Sequence, residues 1–169
     1  MTLRAALAVL ALVAPLGGCG LQPMYAGGAS SSVAQGLASV HVPAIEGRDG
    51  WLVRNALQER LGVAGEASPR YRLDVRLDDA LEALGVLNDD TISRERRILR
   101  SRYQLVDLAT GEILLDATAG SDAGIDVVSS EYATIAAEQT ALENLAKDVA
   151  ERMVRRVALT LRERERAGQ

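Results

Sequence analysis

Ser93-Arg94-Glu95-Arg96-Arg97-Ile98-Leu99-Arg100-Ser101-Arg102-Tyr103-Gln104-Leu105-Val106-Asp107 is the stretch that decides the fold. Read at period two, it places Leu99, Ser101, Tyr103 and Leu105 on one face and Arg94, Arg96, Ile98, Arg100, Arg102 and Gln104 on the other. That is a strand with one side for a core and one side for water. Four arginines point the same way, and Arg97 points the opposite way. Like charges lined along one face repel, so the arrangement works against stability. It admits two readings. Arg94, Arg96, Arg100 and Arg102 form a basic stripe for an anionic partner, since arginine binds phosphate and carboxylate through two parallel donors. Or the face is solvated and balanced across the sheet by Asp74, Asp78 or Asp116.

The flanking segments supply partners for this strand. Residues 71–77 alternate, with Tyr71, Leu73, Val75 and Leu77 on one side and Arg72, Asp74, Arg76 and Asp78 around the other. The strand is free to continue into residues 80–86, and Asn88-Asp89-Asp90 is a turn signal. On the C-terminal side, Asp107-Leu108-Ala109-Thr110-Gly111-Glu112 reads as a hairpin turn. Residues 113–119 return as a strand with Ile113, Leu115 and Ala117 on one face. Residues 120–128 read as a loop.

Two helices frame these strands. The first is expected over residues 49–61, with Asp49 as N-cap and Gly62 as the left-handed stop. Leu52, Val53, Ala56, Leu57 and Leu61 form its apolar stripe, and Trp51 in the first turn reads as a plug at the core or its edge. The second, long helix starts after Ser129 or Ser130, with Glu131 near its positive end. Its stripe is Ile135, Ala136, Leu142, Leu145, Ala146, Val149, Met153, Val157 and Leu161. Arg162-Glu163-Arg164-Glu165-Arg166 reads as a charged, fraying end. Before the first helix, residues 37–42 read as a short strand in which Val40 and Val42 face inward. Pro43 ends it, because proline has no donor for the ladder.

The N-terminal part has a different character. One positive charge (Arg4), an apolar run over residues 5–14, Pro15 and two glycines precede Cys19, the sole cysteine of the chain. A short charged region, an apolar core and a small-residue cleavage site make an export signal, too short to span a membrane. Leu16-Gly17-Gly18-Cys19 resembles the bacterial lipobox. That resemblance implies cleavage before Cys19 and acylation of Cys19, which becomes the lipid anchor. Two or more acyl chains hold a protein stably on a membrane. Gly20 rather than aspartate after the cysteine implies, by the sorting rule for lipoproteins, the outer membrane. Residues 19–36, with Gly27-Gly28-Ala29-Ser30-Ser31-Ser32, read as a flexible tether, and residues 37–169 as a single α/β domain.

Composition narrows the function classes. Removing residues 1–18, which hold one basic residue and no acid, takes the net charge from −4 to −5. An acidic balance argues against nucleic-acid binding. His41 is the single histidine and there is no second cysteine, so no metal set and no cofactor site are expected. A serine hydrolase would need His41 in a strand cut off by Pro43, and there is no Gly-x-Ser-x-Gly elbow. The reading is a non-enzyme.

The order of lipidated tether, strand, helix, three strands and long helix is similar to that of the LptE family of lipopolysaccharide-assembly lipoproteins. Three places carry the likeness. One is Cys19-Gly20-Leu21-Gln22-Pro23-Met24-Tyr25, with Leu21 where the family often has an aromatic. The second is the strand–helix pair over residues 39–61. The third is Tyr132-Ala133-Thr134 followed by Ala136-Ala137-Glu138 and Ala141-Leu142-Glu143-Asn144-Leu145-Ala146. The resemblance implies an α+β fold, two helices packed on one face of a four-stranded, mostly antiparallel or mixed sheet. It implies a lipid-anchored protein on the periplasmic side of the outer membrane that plugs the LptD β-barrel, helps it assemble and assists lipopolysaccharide transport to the outer leaflet. Lipopolysaccharide would then be the anionic partner of the arginine stripe. The alternative is an auxiliary lipoprotein of an ABC-type lipid transporter.

Overall fold

A computed structural model describes residues 32–62, 69–86 and 92–168. The signal segment, Cys19 and the 20–31 part of the tether lie outside the described residues. The elements in chain order are α1 (Ser32–Ala38), β1 (Val40–His41), α2 (Gly47–Leu61), β2 (Tyr71–Val86), β3 (Ile92–Asp107), β4 (Ile113–Asp126) and α3 (Glu131–Ala167). The sheet has the order β1-β2-β3-β4, with β1 parallel to β2 and the other pairs antiparallel. The expected α+β class and mixed four-stranded sheet hold.

The lengths match for a physical reason. A strand rises ~3.3 Å per residue and a helix ~1.5 Å. The 16-residue strands β2 and β3 and the 37-residue helix α3 are therefore each roughly 50–55 Å long. One helix can cover the length of the hairpin. The inner face carries Leu73, Leu99, Tyr103 and Leu105, all nearly or fully buried, and α3 contributes Leu145, Val149, Met153 and Val157 to the same core. Ser101, also on this face, satisfies its hydroxyl by donating to the Ala119 carbonyl (3.2 Å), beside Met153 Sδ. Helix α2 packs chiefly on α3 and touches β2 through a smaller contact, burying Val53, Ala56, Leu57 and Leu61.

Several expectations need correction. The strand expected over residues 37–42 shrinks to Val40–His41, and Leu37 belongs to α1, which takes in the last residues read as tether. Val40 and Val42 do face inward, and His41 is exposed. Helix α2 starts at Gly47, two residues before Asp49, and Glu46 occupies the N-cap position without a side-chain bond. Gly62 does end it, with φ of 88°. Trp51 is no plug: it is 60% exposed.

The loop expected over residues 120–128 is strand as far as Asp126. Its Gly120-Ser121-Asp122-Ala123-Gly124 composition hides the alternation, yet it pairs in full register with β3. A register shift beside Leu105 and Val106 puts Leu115 opposite Leu105 but Ile113 opposite Val106. The extra residue moves Ile113 off the inner face, so it is 53% exposed rather than sharing a face with Leu115. The turn before it is as expected: Gly111 takes φ of 74°, and the Asp107 carboxylate accepts from the Ala109 N–H. Ser130, of the two candidates, caps α3, accepting from the Ala133 N–H at 3.4 Å. Ile135 is 43% exposed and Ala136 is exposed, so the buried stripe begins instead with Thr134 and Ala141. The charged end of α3 is helical as far as Ala167 and makes contacts of its own. Arg164 donates to Glu112 at 3.0 Å, and Glu165 accepts from Ser32 at 2.7 Å.

Candidate functional site

The outer face of the sheet is where the arginine stripe lies. The register puts Arg72, Asp74, Arg76, Asp78 and Glu82 of β2 beside Arg94, Arg96, Arg100 and Arg102 of β3, with Asp116, Asp122 and Asp126 of β4 beyond. Arg97 lies on the inner face, as the alternation requires. The structure thus brings all four stripe residues to one surface.

The same register supplies counter-charges. Arg94 faces Asp126 directly, at 3.6 Å. Arg96 reaches Asp122 at 3.0 Å. Arg102 makes a two-pronged contact with Asp116 (3.2 and 2.9 Å), which also accepts from Gln104 at 2.8 Å. The hydrogen bonds from Arg102 and Gln104 hold the Asp116 carboxyl below the ordinary aspartate range, and the same Asp116 bond raises Arg102. Arg72 pairs along its own strand with Asp74 at 2.9 Å, which raises the Arg72 guanidinium. The face is therefore an alternation of six arginines and six acids with no net charge.

Of the three acids expected to balance the stripe, Asp116 does so. Asp74 is taken by Arg72, and Asp78 makes no ion pair among the described residues although it lies opposite Arg100 in the register. Asp122 and Asp126 were hidden in the segment expected to be a loop. Exposed pairs of this kind contribute little to stability, but they occupy their arginines.

Two arginines of this face have no ion-pair partner among the described residues. One is Arg100, in the predicted stripe. The other is Arg76 of β2, which sequence reasoning assigned only to a wet face. Arg76 lies opposite Arg102 in the register, a like-charged neighbour that raises the local positive potential. With Asp78, Thr118 and Gly120, these arginines line a shallow hollow of about 480 Å³. Gly120 puts no side chain into this hollow; a Cβ there would stand at 3.4 Å from the Arg100 side chain and the Leu99 carbonyl.

The inner face has its own polar end. Arg97 contacts Asp79 at 3.0 and 2.5 Å and the Glu138 carbonyl of α3 at 3.3 Å. The Asp79 bond raises the Arg97 guanidinium. Burial raises Tyr103, with Arg156 opposing. Among the described residues there is no group of side chains that could hold a metal ion. Nor is any described helix long and apolar enough to cross a membrane.

The LptE family model, described as lipopolysaccharide assembly, matches residues 37–157. A comparison with curated proteins gives no match. Among solved structures, a candidate lipoprotein from Caulobacter crescentus CB15 is 26% identical, with a TM-score of 0.67 over 79% of this chain and 98% of that one. The rare lipoprotein B of Shewanella oneidensis is 12% identical, with a TM-score of 0.58 over 75% of this chain and 96% of that one. A minor lipoprotein of Acinetobacter baumannii is 16% identical, with a TM-score of 0.52 over 71% and 88%. The last two likenesses are of fold.

Proposed function

This chain belongs to the LptE family of lipopolysaccharide-assembly proteins, and from that premise we propose that it is a lipoprotein of the outer membrane, held on the periplasmic side through acylated Cys19. It plugs the LptD β-barrel, helps that barrel assemble and assists the passage of lipopolysaccharide to the outer leaflet. The observation that carries this reading is the family match over residues 37–157. The lipobox-like Leu16-Gly17-Gly18-Cys19 and the lipoprotein likenesses support the anchor.

The role is one of binding rather than turnover. A plug must present a folded surface to a barrel wall and an anionic amphiphile to its arginines. The outer sheet face with Arg94, Arg96, Arg100 and Arg102 supplies the cationic groups, and lipopolysaccharide carries phosphates and carboxylates that such groups bind in pairs. The first test is chemical. Mass spectrometry of the protein from outer membranes is expected to find acyl chains on Cys19, and Cys19→Ser protein is expected in the soluble periplasmic fraction. An unmodified Cys19 in membrane-associated protein would remove the anchor from this reading. Lipopolysaccharide binding by the purified chain is expected to weaken as salt rises; affinity indifferent to salt would refute the cationic contact.

A further inference from the structure

We infer that the chain carries a phosphate-binding saddle astride the outer edge of β4 at Gly120, distinct from the Arg94 and Arg96 end of the arginine stripe. The inference rests on the reading of lipopolysaccharide as ligand and names which part of it is held, and by what.

Two hollows meet at this edge. One, of about 480 Å³ on the outer face, is lined by Arg76, Arg100 and Arg102. The other, of about 500 Å³ between β4 and α3, is lined by Tyr103, Arg152 and Arg156. They share Thr118, Ala119 and Gly120. Arg152 closes the edge by donating to the Gly120 carbonyl at 2.7 Å. Five arginines from β2, β3 and α3 thus line the two hollows that share this stretch of β4, and Gly120 puts no side chain between them.

Charge accounting distinguishes this place from the rest of the face. Arg94 and Arg96 sit against Asp126 and Asp122. At the saddle Arg102 alone is ion-paired, and Arg76, Arg100, Arg152 and Arg156 have no ion pair among the described residues. Asp78 is the one acid in the lining of either hollow. The chain as a whole is acidic, so a local surplus of cations is against its average.

The geometry favours phosphate over carboxylate. A carboxylate offers two oxygens and one charge, enough for one guanidinium fork. A phosphomonoester offers three oxygens and close to two charges, and can be shared between forks. Guanidinium groups arriving from two sides of a strand edge suit the second ligand. The source is either a phosphorylated lipid headgroup or a free phosphate.

The test uses the full-length lipidated chain in detergent, titrated with bisphosphorylated lipid A, with the same lipid after enzymatic dephosphorylation, and with inorganic pyrophosphate. The variants are Arg76→Gln with Arg100→Gln, Arg152→Gln with Arg156→Gln, and, as control, Arg48→Gln with Arg166→Gln, two exposed arginines outside both hollows and off the outer sheet face. Each pair of saddle changes is expected to weaken the phosphorylated lipid by about tenfold or more, as loss of charge-assisted hydrogen bonds predicts. The control is expected to stay near wild type, and the dephosphorylated lipid to bind all forms equally weakly. The side chains of Arg76 and Arg100 make no hydrogen bond or ion pair among the described residues, so their substitution is expected to leave the fold intact. If the wild type prefers the phosphorylated lipid and the saddle variants keep that preference, the saddle is refuted while the lipopolysaccharide reading stands. If the wild type binds neither lipid, the lipopolysaccharide reading fails. Pyrophosphate binding that needs Arg100 then supports a free-phosphate site, and its absence refutes the saddle too.

Discussion

Arg97 and Asp79 provide the sharpest test of how α3 is held on the sheet. The inner face is apolar at Leu73, Leu99, Tyr103 and Leu105, with Ser101 between them, and turns polar towards Asp79 and Arg97. Their side chains are only 18% and 20% exposed, and Arg97 also donates to the Glu138 carbonyl, so one guanidinium ties β2, β3 and α3 together. At an effective dielectric near 20 the gross attraction of such a pair is several kcal/mol, and desolvation offsets most of it. A net coupling of about 1–2 kcal/mol follows, above exposed pairs and below fully buried ones. The assay is a double-mutant cycle by urea denaturation with Arg97→Gln, Asp79→Asn and both. Arg97→Gln is expected to cost more than Asp79→Asn, because it also removes the contact with the Glu138 carbonyl that ties α3 to the sheet. The comparison is the cycle for Arg102 and Asp116, whose side chains are 68% and 38% exposed and whose coupling should be smaller and vanish in about 1 M salt. An Arg97–Asp79 coupling no larger than that one, or lost in the same salt, would refute the idea that burial makes this pair a clamp.

Other consequences follow from packing and titration. Leu57→Ala, at a position with no exposed surface, is expected to cost about 2–5 kcal/mol in chemical denaturation. Gly50→Ala is expected to cost about 1–3 kcal/mol, because its new Cβ would lie 2.7 Å from the Ile45 carbonyl oxygen; an unchanged midpoint would mean that the α2 entry is looser than described. The Asp116 carboxyl is held low by Arg102 and Gln104, so the stability it contributes is present above about pH 4 and lost as pH falls through its folded value. Asp116→Asn should flatten that part of the acid limb. Tyr103 is raised by burial, so its contribution is full below about pH 10 and lost as pH rises through the folded value. Tyr103→Phe should flatten the alkaline limb.

Much of the fold was legible because two signals were clean. Residues 71–77 and 93–107 alternate without interruption, and the α3 stripe recurs at helical spacing, so the hairpin and its covering helix could be read directly. The second half of β4 was not legible, since Gly120, Ser121 and Gly124 carry no apolar signal and their strand state comes from pairing with β3. The face switch of Ile113 depends on a bulge, which alternation alone does not reveal. The Asp49 cap and the Trp51 plug failed because α2 starts two residues earlier and turns its indole outward. For the candidate site, one strand was enough to put Arg94, Arg96, Arg100 and Arg102 on a common face. Which of them are occupied depends on Asp122 and Asp126, and which neighbours join them depends on Arg76, Arg152 and Arg156. Those relations cross the sheet and the helix layer, where local sequence carries no information.

The central claim is assembly with an outer-membrane barrel, and a detergent pull-down of the tagged, lipidated chain from outer membranes tests it most directly. Mass spectrometry is expected to identify LptD as a single large β-barrel at equal stoichiometry. Recovery of an inner-membrane ABC-type transporter instead, with no barrel present, would contradict the account.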